Sequence, residues 1–373
     1  MTHPAWIEID LSALAHNARV IRRALPDRTR VGILVKANGY GHGMELAARA
    51  ALDGGADQLI VSNLDEALVL RRARFTAPIL VVYPIEPSGV ADAVAGNIEL
   101  SVGGVESARR TLAAPRGGTL RLHVEVDTGM GRGGVPADEL VDVVRAIDGA
   151  SDVELVGIWS HLADGSDPAA SAAQIARYEA ALADLEATGA RLPLRHVAAT
   201  EGVFVKTSPA YDLVRIGLGF YGELGVGVEA SPALAALAAE LRPAMTVSAR
   251  PVRLESVPER STIGYGSEWT TERPSRIATL PIGYADGWSR RYWPGATALV
   301  RGQRVPLVGR VSMDSVCADV TDVAGVTHDD VFVLLGSQGD ECITASDLAR
   351  LRGSIPNEVF CDFGPRLVRR PIG

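Results

Sequence analysis

Lys36 closes a short apolar run, Val31-Gly-Ile-Leu-Val-Lys36, and three glycines, Gly39, Gly41 and Gly43, follow it at alternate positions. The spacing predicts a strand that ends in a lysine and then breaks into a tight turn and a helix. An ammonium at the end of an apolar strand is costly to desolvate, so its pKa falls and the free amine becomes available as a nucleophile or Schiff-base former. A solvated lysine at the start of a loop is the alternative. The rest of the chain has to decide between them.

Other chemically capable residues end apolar runs in the same way. Such runs recur at 31–36, 58–62, 78–83, 98–102, 120–127, 153–161, 194–199 and 213–217, and stretches with helical spacing, such as 64–74, 137–147 and 169–188, separate them. A segment at 6–11 alternates and could pair with something distant, and a helix over 12–25 with Ser12 as its cap follows it. Strands buried on both faces and joined by helices predict an α/β fold, a closed (β/α)₈ barrel of the TIM type over residues 1–238. A doubly wound open sheet is the alternative, weakened because no G-x-G-x-x-G follows a strand.

In such a barrel the C-terminal strand ends share one mouth. That mouth would hold Lys36, Asp127 and Arg132 of Asp127-Thr-Gly-Met-Gly-Arg132, His161, Thr200, and Arg215 beside Gly217. It is cationic in a protein of formal charge −8, so it calls for an anionic ligand. Thr200 and the backbone around Gly217 could receive a phosphate after strands seven and eight. Taken singly, His161 reads as a packed histidine, Arg132 as a surface residue and Asp127 as a group that orients a neighbour. Their shared rim favours the functional reading. No H-x-x-x-H pair occurs, so no metal site is expected.

Residues 239–373 change rhythm: runs at 246–257, 276–284, 297–301, 305–320 and 331–335 read as strands, with one helix at 345–351 after Thr344. A mostly β C-terminal domain is expected. There Gly264-Tyr265-Gly266 and Gly283-Tyr284-Ala285 present tyrosines from turns, and a phenol beside a cationic site can act as a proton acceptor; simple packing is the alternative. The acidic balance argues against nucleic acid or an anionic membrane as partner, and no apolar run approaches the roughly 18 residues of a membrane helix. No secretory signal is visible, so a cytoplasmic protein is expected. Three widely spaced cysteines, Cys317, Cys342 and Cys361, suit reduced, mostly buried thiols.

Taken together, Val35-Lys36-Ala-Asn-Gly-Tyr40-Gly-His-Gly, Asp127-Thr-Gly-Met-Gly-Arg132, Val214-Arg215-Ile-Gly217, Gly264-Tyr265-Gly-Ser-Glu268 and Ile282-Gly-Tyr284-Ala-Asp-Gly resemble the motifs of bacterial alanine racemase. The match keeps its order from the N-terminus to about residue 320. The resemblance implies a pyridoxal 5'-phosphate enzyme whose cofactor is held covalently by Lys36 and acts as electron sink. It implies two bases, Lys36 for the D-enantiomer's proton and Tyr265 for the L-enantiomer's. Tyr265 would reach the other subunit of a homodimer. Tyr40, Thr200, Gly217 and Leu218 would meet the phosphate, Arg215 the ring nitrogen with His161 behind it, and Arg132 the phenolic oxygen. Arg132, Tyr284 and the backbone at Met313 would meet the substrate, with Glu125, Asp127 and Asp314 in support.

Three positions depart from the family pattern. Many relatives carry a carbamylated lysine where this chain has Glu125, so Glu125 is expected to supply that negative charge directly and orient Arg132. Ala198-Ala199-Thr200-Glu201 replaces a usual Ala-Asn-Ser, which puts the charge of Glu201 beside the phosphate site. Pro365 stands where some relatives have a phosphate-contacting tyrosine. Alanine is the expected substrate, with D-alanine destined for peptidoglycan, and serine or another small amino acid is the alternative. A pyridoxal-phosphate decarboxylase would need a catalytic cysteine in the β domain, a place Cys317 does not take, and a non-catalytic binder would not need Tyr265.

Overall fold

The computed structural model describes residues 3–373. Eight parallel strands, Arg30–Leu34, Gln58–Val61, Ile79–Val81, Glu99–Val102, Leu120–Asp127, Val153–Trp159, Leu194–His196 and Leu213–Ile216, pair in sequence order, and the last also pairs with the first. Bonds from the Asp212 amide to the Arg195 carbonyl (3.0 Å) and from the Arg215 amide to the Ala198 carbonyl (2.9 Å) close the ring between the last two strands. The expected (β/α)₈ barrel is therefore the observed one.

The period of two along each strand sorts its side chains. One set packs outward on the helices as the main core, while Ile60, Leu80, Val82 and Trp159 form a separate small cluster with Leu34. That small cluster fills only the upper part of the barrel interior. Below and beside it the inward positions are polar and buried: Gln58, Glu99, Ser101, His123, Glu125, His196 and Arg215.

The second unit is a ten-stranded, mostly antiparallel sheet. The run expected as one strand at 246–257 is two, Met245–Ala249 and Arg253–Val257, and 305–320 likewise splits into Gln303–Val308 and Val316–Asp319. The helix after Thr344 is present as Ala345–Arg352 with Thr344 and Asp347 in a capping box. A second helix, Pro356–Asp362, was not expected; proline at its first position suits it to start there.

Ala5–Asp10 lies in this second sheet and not with the barrel whose residues follow it. It runs antiparallel to Met245–Ala249 and parallel to the last strand, Val368–Ile372. The helix that follows is Leu11–Arg23, and its cap is Asp10, which accepts from the Ala13 amide at 2.8 Å, not Ser12. Ser12 instead donates to Asp10. None of the three cysteines is fully buried, and Cys361 is exposed. Among the described residues no helix is long and apolar enough to cross a membrane.

Asp10→Ala should lower unfolding free energy by about 1 kcal/mol in urea titrations, while Ser12→Ala costs clearly less. Equal losses would return the cap to Ser12.

Candidate active site

The mouth of the barrel opens into a cavity of about 470 Å³. Lys36, Tyr40, Arg132, His161, Thr200, Arg215, Gly217 and Leu218 all line it. The shared rim inferred from strand ends is thus a real enclosure. Helix Pro356–Asp362 closes one side through Ile355 and Asn357, which sequence reasoning missed because it predicted no element there.

Lys36 is half-buried, and burial first, then the charge of Arg132, pulls its pKa below the ordinary value; Glu66 opposes them. The five residues after it, Ala37 to Gly41, all have φ between 50° and 76°. Side chains rarely adopt this left-handed conformation, so the turn has to be held from outside. Glu66 accepts from the Ala37 amide (2.7 Å) and the Ser62 amide (2.8 Å), and Asn38 Oδ1 accepts from Met44 (3.0 Å). From the second unit, Arg369 Nε donates to the Gly41 carbonyl at 2.9 Å. Gly41 packs so tightly that a Cβ there would stand 2.2 Å from the Phe360 carbonyl oxygen.

His42 supports the same turn from below. Its Nδ1 donates to the Tyr40 carbonyl (2.9 Å), and its ring packs on Tyr221 and Phe360. Fully buried, it has its pKa lowered to about 4, with burial as the main cause, and stays neutral. Tyr40 stacks on Tyr221, lines the cavity with Asn357 and has its pKa raised by burial. Its hydroxyl lies over Gly217, where a Cβ would stand 2.6 Å away. Thr200 Oγ1 accepts from the Gly219 amide at 3.1 Å, joining the loops after strands seven and eight.

Arg215 is the floor of the cavity. Nη1 donates to His196 Nδ1 and to the His196 carbonyl, each at 3.0 Å; Nη2 donates to the Ser160 carbonyl (2.8 Å) and to His161 Nδ1 (3.2 Å). Its guanidinium lies over the Trp159 ring, 4.6 Å from the centroid. Burial lowers its pKa to about 10, so it remains a cation at neutral pH. His161 is neutral: burial, then Arg215, Arg132 and Lys36, lower its pKa to about 3.

Other expected residues behave differently. Asp127 folds the loop after strand five by accepting from the amides of Gly129 (2.9 Å) and Gly131 (3.1 Å). Glu125 is buried, yet among the described residues it forms no ion pair with exposed Arg132, which instead sits over Tyr83. The expected contact in which Glu125 orients Arg132 is therefore missing. The two still sense each other's charge: burial raises the Glu125 pKa, and Arg132 and Arg215 oppose it. Glu201 lines the cavity half-buried, its pKa raised by burial and then by Asp164. Pro365 is exposed and outside the cavity, whereas Asn357 lines it with Tyr40.

Tyr265, Tyr284 and Met313 are not in the cavity. They are 65%, 41% and 53% exposed on the second unit. Close backbone contacts gather their loops: Gly264 lies against Gly309 and Arg310, and Gly283 against the carbonyls of Ser312 and Met313. Asp314 accepts from Arg366 at 2.8 Å, and Arg310 pairs with Glu268.

Residues 9–225 match the family described as alanine racemase, N-terminal domain, and residues 244–371 match alanine racemase, C-terminal domain. The alanine racemase of Syntrophobacter fumaroxidans is 38% identical over 98% of this chain and 96% of its own length. A crystal structure of alanine racemase from Bacillus anthracis with bound L-Ala-P superposes with a TM-score of 0.91 at 32% identity, covering 100% of this chain and 96% of that one. A histidine racemase from Leuconostoc mesenteroides superposes with a TM-score of 0.88 at 28% identity, covering 100% and 99%.

Gly41→Ala should cost about 2–4 kcal/mol, because a left-handed φ and a backbone collision are both imposed; urea unfolding measures it. For His42 the unfolded chain takes up a proton between pH 6.5 and 4 while the folded chain does not, so stability should fall as pH falls through that window. The share from His42 is about 3 kcal/mol by pH 4, and His161 adds in the same direction. A His42→Gln variant should flatten that acid slope; an unchanged slope would refute the assignment.

Proposed function

The chain belongs to the alanine racemase family, and on that premise we propose that it interconverts L- and D-alanine with pyridoxal 5'-phosphate attached at Lys36. The observation that carries this reading is a single amine of lowered pKa set in an enclosure with two guanidiniums and a bare-backbone cradle. The cradle fits a phosphate. Tyr40 lies so close over Gly217 that a side chain there would fill the space, and Thr200 joins the neighbouring loop through Gly219. Tyr40, Thr200, Gly217 and Leu218 would hold the phosphate, and Arg132 would meet the phenolic oxygen and the substrate carboxylate. The enclosure is large enough for the cofactor and a small substrate.

When bound, the cofactor supplies the electron sink that stabilises negative charge at the substrate Cα. The chain's own groups then handle protons. The Lys36 amine, kept neutral more easily by its surroundings, exchanges the Cα proton on one face. Inversion needs a second base opposite it. Tyr265 suits that task chemically, yet it stands exposed away from its own cavity, which supports a homodimer in which Tyr265 serves the other subunit's site. Tyr284 and Met313 share that face and would complete the substrate pocket. Arg215 has donors only, so a ring nitrogen facing it receives a hydrogen bond and no proton. That limits how far charge spreads into the ring and disfavours transamination.

The same reading puts the enzyme in the cytoplasm, supplying D-alanine for peptidoglycan. A histidine racemase on the same fold favours a second outcome, racemisation of another amino acid such as serine.

The purified protein should show a visible absorption band that borohydride abolishes, and Lys36→Ala should lack it. L-Alanine in D₂O should lose its Cα proton and yield D-alanine, without release of CO₂. Tyr265→Phe should keep the band and lose roughly 10²–10⁴-fold in rate. A racemisation screen over all proteinogenic amino acids fixes the substrate, and failure to exchange the Cα proton of any of them would sink the proposal.

A further inference from the structure

Beneath the cavity floor a file of polar side chains runs down through the barrel interior. Arg215 Nη1 donates to His196 Nδ1 at 3.0 Å, His196 Nε2 lies 2.9 Å from His123 Nδ1, and His123 Nε2 lies 3.1 Å from Glu99 Oε2. None of the four is more than 4% exposed. Gln58 Nε2 donates to the same Glu99 oxygen at 2.5 Å, and Arg121 Nη1 stands 3.5 Å from the other.

The direction of this chain is not free. A guanidinium cannot accept, so His196 Nδ1 is the acceptor and the His196 proton sits on Nε2. That proton makes His123 Nδ1 an acceptor in turn and puts the His123 proton on Nε2, where it meets the carboxylate. Every donor finds an acceptor only if both imidazoles are neutral and share this tautomer. A cation at the top and an anion at the bottom are thereby linked across the barrel.

The scaffold makes room for the link. A Cβ on Gly157 would stand 2.3 Å from His123 Nδ1 and 3.1 Å from His196 Nε2, so the glycine leaves the space in which the two rings bond. Trp159 lies parallel to the His196 ring, with centroids 6.0 Å apart, and carries Arg215 on its face. All four Nη hydrogens of Arg215 are taken by these partners and nearby carbonyls, and no partner holds Nε–H among the described residues. Nε–H is the donor left for the cavity.

We propose that Glu99 and His123 are positioning residues: through His196 they set the orientation of the Arg215 guanidinium and so aim its Nε–H into the cavity. What Nε–H meets there rests on the reading of function above, whereas the hydrogen-bonded chain does not. Glu99 thus acts on the reacting centre from the opposite end of the barrel.

The test uses the full-length protein with ¹⁵N-labelled histidine, followed by kinetics and spectra of the cofactor-loaded enzyme. Imidazole ¹⁵N shifts should show His123 and His196 as neutral Nε2–H tautomers from pH 6 to 8. In His123→Leu, the His196 signal should change to a mixture of tautomers. Both His123→Leu and Glu99→Gln should lose roughly tenfold or more in kcat with KM for the substrate within about twofold, and move the maximum of the visible band. A His196 proton on Nδ1 in the wild type, or an unmoved kcat and band in the folded variants, would overturn the proposal. If His123→Leu does not fold, Glu99→Gln decides by kcat and band position. If the protein racemises no amino acid, the tautomers and the band still decide, so the two readings fail separately.

Discussion

The left-handed turn from Ala37 to Gly41 is the constraint on which the site depends. Three of its five residues carry side chains at positive φ, each unfavourable by roughly 1–2 kcal/mol if left to itself. What the strain achieves is geometric: the chain reverses in a few residues, so Lys36 and Tyr40 line one small enclosure. What holds it comes from three directions. Glu66 ties it to the next strand, the buried ring of His42 bonds it from beneath, and Arg369 with the Phe360 carbonyl presses on it from the second unit. The C-terminal unit is therefore part of the machinery that shapes the lysine's surroundings, in addition to any residues it contributes across a subunit boundary.

Charge is organised around the same enclosure. Arg215 lies buried, where an uncompensated cation costs several kcal/mol. Carbonyl oxygens and the imidazoles of His196 and His161 satisfy its Nη hydrogens; of two buried carboxylates, Glu99 lies deeper in the barrel and Glu125 lies against Gly103 and Gly133 near the rim. His161, His196 and His42 all have their pKa lowered, so near these cations the imidazoles stay neutral and act as acceptors or fixed donors. The positive charge stays on the groups that face the cavity.

Much of this was legible in the sequence. The barrel strands could be read because each is a short apolar run with a sharp boundary, and a lysine, a histidine or an arginine at such a boundary has few places to be other than the rim. What escaped was set by distance. Nothing local to Trp6 or Ile7 says that their partners are Val247 and Val368, and nothing in Pro356–Asp362 announces a wall for a cavity begun at Lys36. Asp10 displaced Ser12 as a cap because the strand before it sets the backbone angle, which is a tertiary decision. The interior file was missed for another reason: Glu99, His123 and His196 look like interruptions in apolar strands. Read with a period of two, however, they fall on the inward face with Gln58 and Arg215, and a column of polar residues inside a closed barrel has to bond to itself.

The first strand, Ala5–Asp10, is held between Met245–Ala249 and Val368–Ile372. A ribosome delivers that strand first and its parallel neighbour last. At synthesis rates of about 5–20 residues per second, the interval is some tens of seconds. Until residues 245–249 emerge, Trp6, Ile7 and Ile9 have no sheet to enter, and from then until residues 368–372 follow, one edge of their strand stays unpaired. The nascent chain thus spends its longest wait with an apolar edge uncovered, and it is in that interval that a holding chaperone, or an unwanted neighbour on the same polysome, would find it.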